Sequence, residues 1–429
     1  MASHAISAYL VRLQALTSDS AVTEASIVQD IDLVDVEVPA SNQHVNLAIF
    51  ALAIGGFAIG TTEFVTMGLL PQIASGVGIT IPAAGHVVSA YALGVVVGAP
   101  LIATLAARMQ RKSVLVWLMV AFAAGNIASS MAASYPQLML ARFLSGMPHG
   151  AFFGIGAVVA ASLVPIHRRT WAVSMMLAGL TVANIIGVPL TTWVGQHFGW
   201  QWPYALVGVI ALATVAAIWA WVPHRPAAGD ASMRAELRSL RRLQVWLALL
   251  IGTVGFGGMF ATYAYIAPTM TELTGYPSAA VPVILAIYGI GMTTGAFLSG
   301  RVAAHGLMRG IFLCLAMIAV ILALFGYAAH NKVTAVLVVF LLGMVPTILV
   351  PMLQTRLMDV AHEGQSLAAA LNHSTLNMAN ALGAWLGSVV LEAGYGYEWP
   401  SRVGVVLALA SMGIAAISVL VGRRQMSAA

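Results

Sequence analysis

The side chain on which chemistry must turn is Glu63. It stands in Phe57-Ala-Ile-Gly-Thr-Thr-Glu-Phe-Val-Thr-Met-Gly-Leu-Leu-Pro71, near the end of an apolar run that begins at about Asn46. A charge at that depth in hydrocarbon costs about 3 kcal/mol on insertion scales, so such acids survive where they have a task. No other acid lies inside a predicted span, and the one other clear interior charge is Arg142. Glu63 lies about 10 Å below one membrane edge, at about 1.5 Å per helical residue, and Arg142 lies at about the same depth. A dry setting favours the protonated carboxyl and a nearby arginine favours the ionised one. A group that feels both, in a ratio that changes with conformation, can take up a proton on one side and release it on the other. The expectation is that Glu63 carries the proton and Arg142 tunes it; the alternative is a static ion pair joining two helices.

Other polar residues gather around this pair. His149 follows Arg142 by seven residues, two turns on and on the same helix face. It could join a proton relay, or be a hydrogen-bonded packing residue. His373, Asn377 and Asn380 form a stripe on one face of a later span, and Asn184 occupies the corresponding place in an earlier one. With Thr62 they are expected to line a substrate cavity, since amides facing lipid would be costly; the alternative is interhelical hydrogen bonding. Tyr263 and Tyr265 could stack on a substrate ring or belong to an interfacial aromatic belt. No metal site is expected, because His149 has no second ligand at i+3 or i+4. No cofactor is expected either. No Gly-x-x-x-x-Gly precedes Lys112 or Lys332, and no catalytic constellation occupies the spans, so ATP hydrolysis and enzymatic function are set aside.

The elements that hold these residues follow from composition. Of 429 residues 60% are apolar and only 8% are Asp, Glu, Lys or Arg. Soluble domains carry about a quarter charged residues, so this is an all-α membrane protein. The formal charge of +5 reflects basic loops and not a nucleic-acid partner. Cys314 is alone, which excludes an intrachain disulfide. Twelve apolar runs are expected to cross the bilayer: 46–69, 83–106, 113–132, 137–163, 171–194, 202–222, 245–267, 279–300, 308–328, 333–355, 367–390 and 402–421. Fifteen lysines and arginines fall on the connections after even-numbered spans or at the C-terminus, whereas only Lys332 and Arg402 fall on the opposite side. That asymmetry places both termini in the cytoplasm. Residues 1–45 read as a mobile acidic tail, 423–429 as a short second tail.

The two halves repeat. A shift of 197 residues lays Tyr91-Ala-Leu-Gly-Val-Val-Val-Gly-Ala99 on Tyr288-Gly-Ile-Gly-Met-Thr-Thr-Gly-Ala296, and Phe143-Leu-Ser-Gly-Met147 on Phe340-Leu-Leu-Gly-Met344. A shift of 196 lays Ala183-Asn184 on Ala379-Asn380. The expected architecture is two pseudo-symmetric six-helix bundles, 46–222 and 245–422, joined by a basic linker, 223–244. Substrate would sit between them, with access alternating by rocking. Glu63 and Arg142 map onto Phe260 and Val339, so the charges belong to the first bundle alone. Gly187 and Pro189 loosen span 5 as a hinge, or as a packing site for span 8 with its Gly291-x-x-x-Gly295. Arg108, Arg111, Lys112, Arg301 and Arg309 set topology, and the first four are candidate cytoplasmic gating residues.

This arrangement resembles the major facilitator superfamily. Thr62-Glu-Phe-Val-Thr-Met-Gly-Leu-Leu-Pro71, Ser89-Ala-Tyr-Ala-Leu-Gly-Val-Val-Val-Gly-Ala-Pro100, Ala141-Arg-Phe-Leu-Ser-Gly-Met-Pro-His-Gly150 and Val182-Ala-Asn-Ile-Ile-Gly-Val-Pro-Leu190 are similar to its twelve-span drug:proton antiporters, the arabinose-efflux-permease (AraJ-like) type above all. The resemblance covers 46–421. Two departures stand out: Ala103, Ala107 and Gln110 replace the usual glycine, aspartate and glycine between spans 2 and 3, and Leu190-Thr191 follow Gly187-Val-Pro189 where glycines are usual. The resemblance implies a monomeric, proton-coupled exporter of small neutral or amphiphilic molecules (drug, sugar or nucleoside type) in a bacterial inner membrane. Proton symport, uniport and a transport-inactive sensor of the same fold are the alternatives.

Overall fold

A computed structural model describes residues 42–106, 109–224, 241–361 and 365–427. Arg108, most of the acidic tail and most of the basic linker lie outside these. By contact the chain separates into a unit Met1–His44 and a unit Val45–Ala429, and the architecture below is that of the second.

Every regular element among the described residues is helical. The first six long helices are α1 (Asn42–Gly68), α2 (Ile81–Ala106), α3 (Arg111–Ser130), α4 (Tyr135–Ser162), α5 (Arg169–Phe198, with a π turn at Ala183–Gly187) and α6 (Gln201–Trp221). The second six are α7 (Leu243–Ala264), α8 (Val281–Ala303), α9 (Leu307–Ala328), α10 (Lys332–Ala361), α11 (Gln365–Glu392) and α12 (Trp399–Ser427). Eleven are long and apolar enough to cross a membrane. The twelfth is α11, which the stripe of His373, Asn377 and Asn380 makes less apolar but whose 28 residues suffice in length. The expected spans are found with shifted ends. The largest corrections are at α10, which continues past residue 355 to Ala361 and takes Arg356 and Asp359 into the helix, and at α12, which runs from Trp399 to Ser427 and takes Arg423 and Arg424 of the expected short tail into the helix.

Local chemistry explains the breaks. α1 stops at Gly68, and Pro71 enters the first turn of a short helix, Leu70–Val77. There its missing N–H is no loss. Gly78 ends that helix with φ of 71°, a left-handed conformation glycine adopts without penalty.

The internal repeat is built into the backbone contacts. A Cβ on Gly94 would meet the Phe143 carbonyl oxygen, and one on Gly146 would meet that of Tyr91. One repeat later, Gly291 lies against the Phe340 carbonyl and Gly343 against that of Tyr288. Small residues thus let α2 cross α4, and α8 cross α10, at backbone distance. This corrects the expectation that Gly291 and Gly295 receive α5: both face α10 of their own half. α5 is met instead by Gly289, which lies against the Asn184 carbonyl. Gly187 faces Thr61 and Phe57 of α1, not α8.

The halves share a core at one end only. One buried cluster runs through the second half and enters the first through Phe64, Leu69, Ala84, Val88, Leu138, Val188 and Tyr204. These lie toward the end remote from Arg111 and Arg301. Nearer the basic end the first half has its own core, including Leu52, Leu115, Phe152 and Met176. Val245, Ala248, Leu357, Val360 and Ala361 form another in the second half.

Candidate functional site

Arg142 of α4 is wholly buried in the first half, where α1, α2 and α6 meet its guanidinium. Its Nη1 donates to Thr62 Oγ1 at 2.9 Å and its Nη2 to the Thr62 carbonyl oxygen at 3.0 Å. Thr62 Oγ1 in turn donates to Asn126 Oδ1 on α3 at 2.6 Å, and Asn126 Nδ2 donates to the Phe122 carbonyl. The guanidinium lies over the Tyr91 ring of α2, 4.3 Å from its centroid, and 5.0 Å from that of Tyr204 on α6. The Tyr204 hydroxyl is 2.9 Å from Thr66 Oγ1, one turn beyond Thr62. Arginine suits this place because its planar fork can bond two oxygens while its face stacks on rings. All its hydrogen-bond partners are neutral, and its Nε has none.

Glu63 is adjacent to Thr62 and 8% exposed, inside the protein and not on the lipid-facing surface. It makes no hydrogen bond or ion pair among the described residues, so the static α1–α4 ion pair is not what joins these helices; Thr62 does that. The carboxyl is close enough to feel Arg142, Tyr91 and, from the second half, Tyr288. It therefore stands between the charged mount of one half and an aromatic wall of the other.

Tyr91 also reaches His149, with its hydroxyl 3.1 Å from Nδ1. Arg142 and His149 thus meet one ring, as their seven-residue spacing predicts. His149 packs its ring edge-on to Phe153 at 5.3 Å, and Phe153 stacks on His373 across the interface, with centroids 5.6 Å apart and planes 4° apart. His149 is buried, whereas His373 is half-buried.

The amides are buried with spare valences. Asn377 Nδ2 donates to the His373 carbonyl and Asn184 Nδ2 to the Leu180 carbonyl, each within its own helix. The Oδ1 atoms of both, and both polar atoms of Asn380, are without partners. A buried amide atom left unpaired costs about 1–3 kcal/mol, which is the kind of deficit a ligand can relieve. Asn184 sits in the π turn of α5 against Gly289, at the junction of the halves.

The tyrosines differ from expectation. Tyr263 and Tyr265 are fully buried, so neither belongs to an interfacial belt. Tyr263 stacks on Tyr288 at 3.9 Å and meets the edge of Phe64 at 6.0 Å, so its ring is already engaged by protein. The Tyr265 hydroxyl donates to the Ala384 carbonyl at 2.9 Å. Lys112 lies in the first turn of α3 and is buried, and not in a loop; Arg301 is exposed in the last turn of α8. Sequence reasoning passed over Asn126, Tyr204, Thr66 and the role of Tyr91. The available signals were a lone amide in an apolar span and threonines at i and i+4 on α1.

Comparison with known proteins gives consistent results. The sequence model of the Major Facilitator Superfamily matches residues 52–384. Over 384 residues the chain is 40% identical to the inner membrane transport protein YdhP of Escherichia coli strain K12, covering 89% of this chain and 97% of that protein. It is 30% identical over 370 residues to a chloramphenicol resistance protein of Streptomyces lividans, covering 85% and 94%. The crystal structure of a D-xylose–proton symporter superposes with a TM-score of 0.69 at 16% identity, over 86% of this chain and 97% of that one.

Proposed function

The chain belongs to the Major Facilitator Superfamily and is a membrane transporter, not an enzyme; we propose that it couples proton entry to export of a small neutral or amphiphilic molecule by alternating access. The observation that carries the reading is Glu63: a buried, unpaired carboxyl beside a buried guanidinium whose hydrogen-bond partners are all neutral. With Glu63 ionised, its charge offsets that of Arg142 across Thr62. With Glu63 protonated, the site changes by one full charge between two bundles that can move. A carboxyl whose partners change as the halves rock is the physical requirement for coupling.

Export is favoured over uptake by the relative named for chloramphenicol resistance. Uncharged groups with spare valences at Asn184, Asn377 and Asn380 suit a neutral ligand of drug, sugar or nucleoside type. The YdhP relative supports an inner-membrane location, and the basic residues at the starts of α3 and α5 and the ends of α8 and α12 support cytoplasmic termini.

The test is efflux from inside-loaded cells or proteoliposomes under an imposed pH gradient. Glu63→Gln is expected to lower gradient-driven efflux at least tenfold while leaving substrate binding within a few-fold of the intact protein. Wild-type gradient dependence in Glu63→Gln would remove the assignment.

A further inference from the structure

The end of the interface remote from the basic residues is closed by polar side chains that the Glu63 site does not use. His86, in the second turn of α2, has Nδ1 3.1 Å from the Tyr135 hydroxyl of α4 and Nε2 3.1 Å from Ser388 Oγ of α11. Ser388 donates to Glu392 Oε1, one turn on, at 3.1 Å. Ser89, one turn below His86, donates to the Ala381 carbonyl across the same junction at 3.0 Å. Thus a single imidazole ties the first half to the second.

The proton positions follow by elimination. The one hydroxyl proton of Ser388 goes to Glu392, so Ser388 can only accept from His86. Nε2 must therefore carry a proton, and in the neutral ring Nδ1 accepts from Tyr135. Nδ1 is the only position left to fill. An added proton goes there, the Tyr135 hydroxyl turns from donor to acceptor, and no other bond is broken. The cation then faces Glu392 through Ser388, and hydrogen bonds to a charged donor are about twice as strong as neutral ones.

We propose that His86 is a second proton-binding site, and that its protonation holds this end of the interface shut. The groups facing it are Tyr135 from α4, Glu392 from α11 and Tyr265 just past the end of α7, whose hydroxyl packs against Gly85, with Tyr397 beyond. Leu70–Val77, which also packs on α2, brings no titratable residue. Of the charged groups here, Glu392 is bonded to Ser388, and Glu272 lies farther off, bonded to Tyr397. Nδ1 of His86 is the one ring position open to a further proton, so the latch answers to the proton supply on the side it faces. A proton arriving from that side closes the end through which it came. The proposal stands apart from the role of Glu63, because it concerns which end is closed and not whether flux is coupled.

The experiment places spin labels at Ser75→Cys and Ala393→Cys, exposed positions on the two halves at this end, in a Cys314→Ser background. Pulsed dipolar distances are then read in nanodiscs at pH 5.5 and 8.5. The ratio of short to long distances should rise about tenfold at pH 5.5 in the otherwise intact chain. His86→Gln, which keeps a donor and an acceptor but cannot titrate, should match the intact chain at pH 8.5 and show no further change at pH 5.5. Glu392→Gln alters an exposed side chain and should cut the response to about a third. Equal ratios at both pH values, or a response that persists in His86→Gln, would overturn the proposal. A response lost in Glu63→Gln but kept in His86→Gln would assign the effect to Glu63, ending this proposal and sparing the coupling reading. A response that follows His86 in a protein whose efflux ignores Glu63→Gln would do the reverse.

Discussion

At the scale of single residues, the site depends on one guanidinium being satisfied by neutral oxygens and aromatic faces. Lysine in its place would keep the charge but could not bond both Thr62 oxygens while lying flat on Tyr91. Arg142→Lys should therefore abolish gradient-driven efflux and destabilise the protein by about 1–3 kcal/mol, seen as a lower thermal midpoint in detergent. Thr62→Val removes the shared hydroxyl between Arg142 and Asn126 and should destabilise to a similar extent, even though its volume is preserved. Glu63 and Arg142 could be read from the sequence because charge in an apolar run is conspicuous. Asn126, Thr66 and Tyr204 left only weak signals, because single uncharged polar residues are common in spans and only packing shows which of them meet.

At the scale of elements, the close crossings decide which substitutions the fold tolerates. Gly94→Ala and Gly291→Ala each push a methyl group into a facing backbone carbonyl, at Phe143 and Phe340 respectively. Each should destabilise by about 1–3 kcal/mol, and the two should resemble one another because they occupy equivalent places in the repeat. A methyl group added at Gly413 in α12 would meet nothing within 4 Å, so Gly413→Ala should be neutral or stabilising. Thermal unfolding of the three variants side by side checks all of this. Helix number and register were legible because hydrophobic runs of bilayer length are hard to mistake. Partner choice was not: Gly291-x-x-x-Gly295 announces a close contact without saying whether α5 or α10 makes it. The π turn at Ala183–Gly187 was visible only as a glycine and a proline in an otherwise regular span.

At the scale of the whole molecule, two bundles related by a near-constant offset meet firmly at one end. Gln196 Nε2 donates to the Ser278 carbonyl at 2.9 Å across that end, between the last turns of α5 and the entry to α8. A reducible cross-link between Gln196→Cys and Ser278→Cys should stop transport, and reductant should restore it to at least half the uncross-linked rate; undiminished flux in the linked protein would mean these ends need not part. The repeat made this division readable from residue identities alone, whereas the uneven sharing of the core between the two ends depends on how the halves lean and has no sequence signature. Tyr91 and Tyr288 are equivalent by that repeat, yet the first lies under Arg142 and the second stacks on Tyr263. Duplication supplied matched sockets, and only one was electrified. The uncharged partner is consequently freer to drift: random libraries confined to residues 245–421 should yield altered cargo preferences with energy transduction intact far more often than libraries of equal size in 46–222.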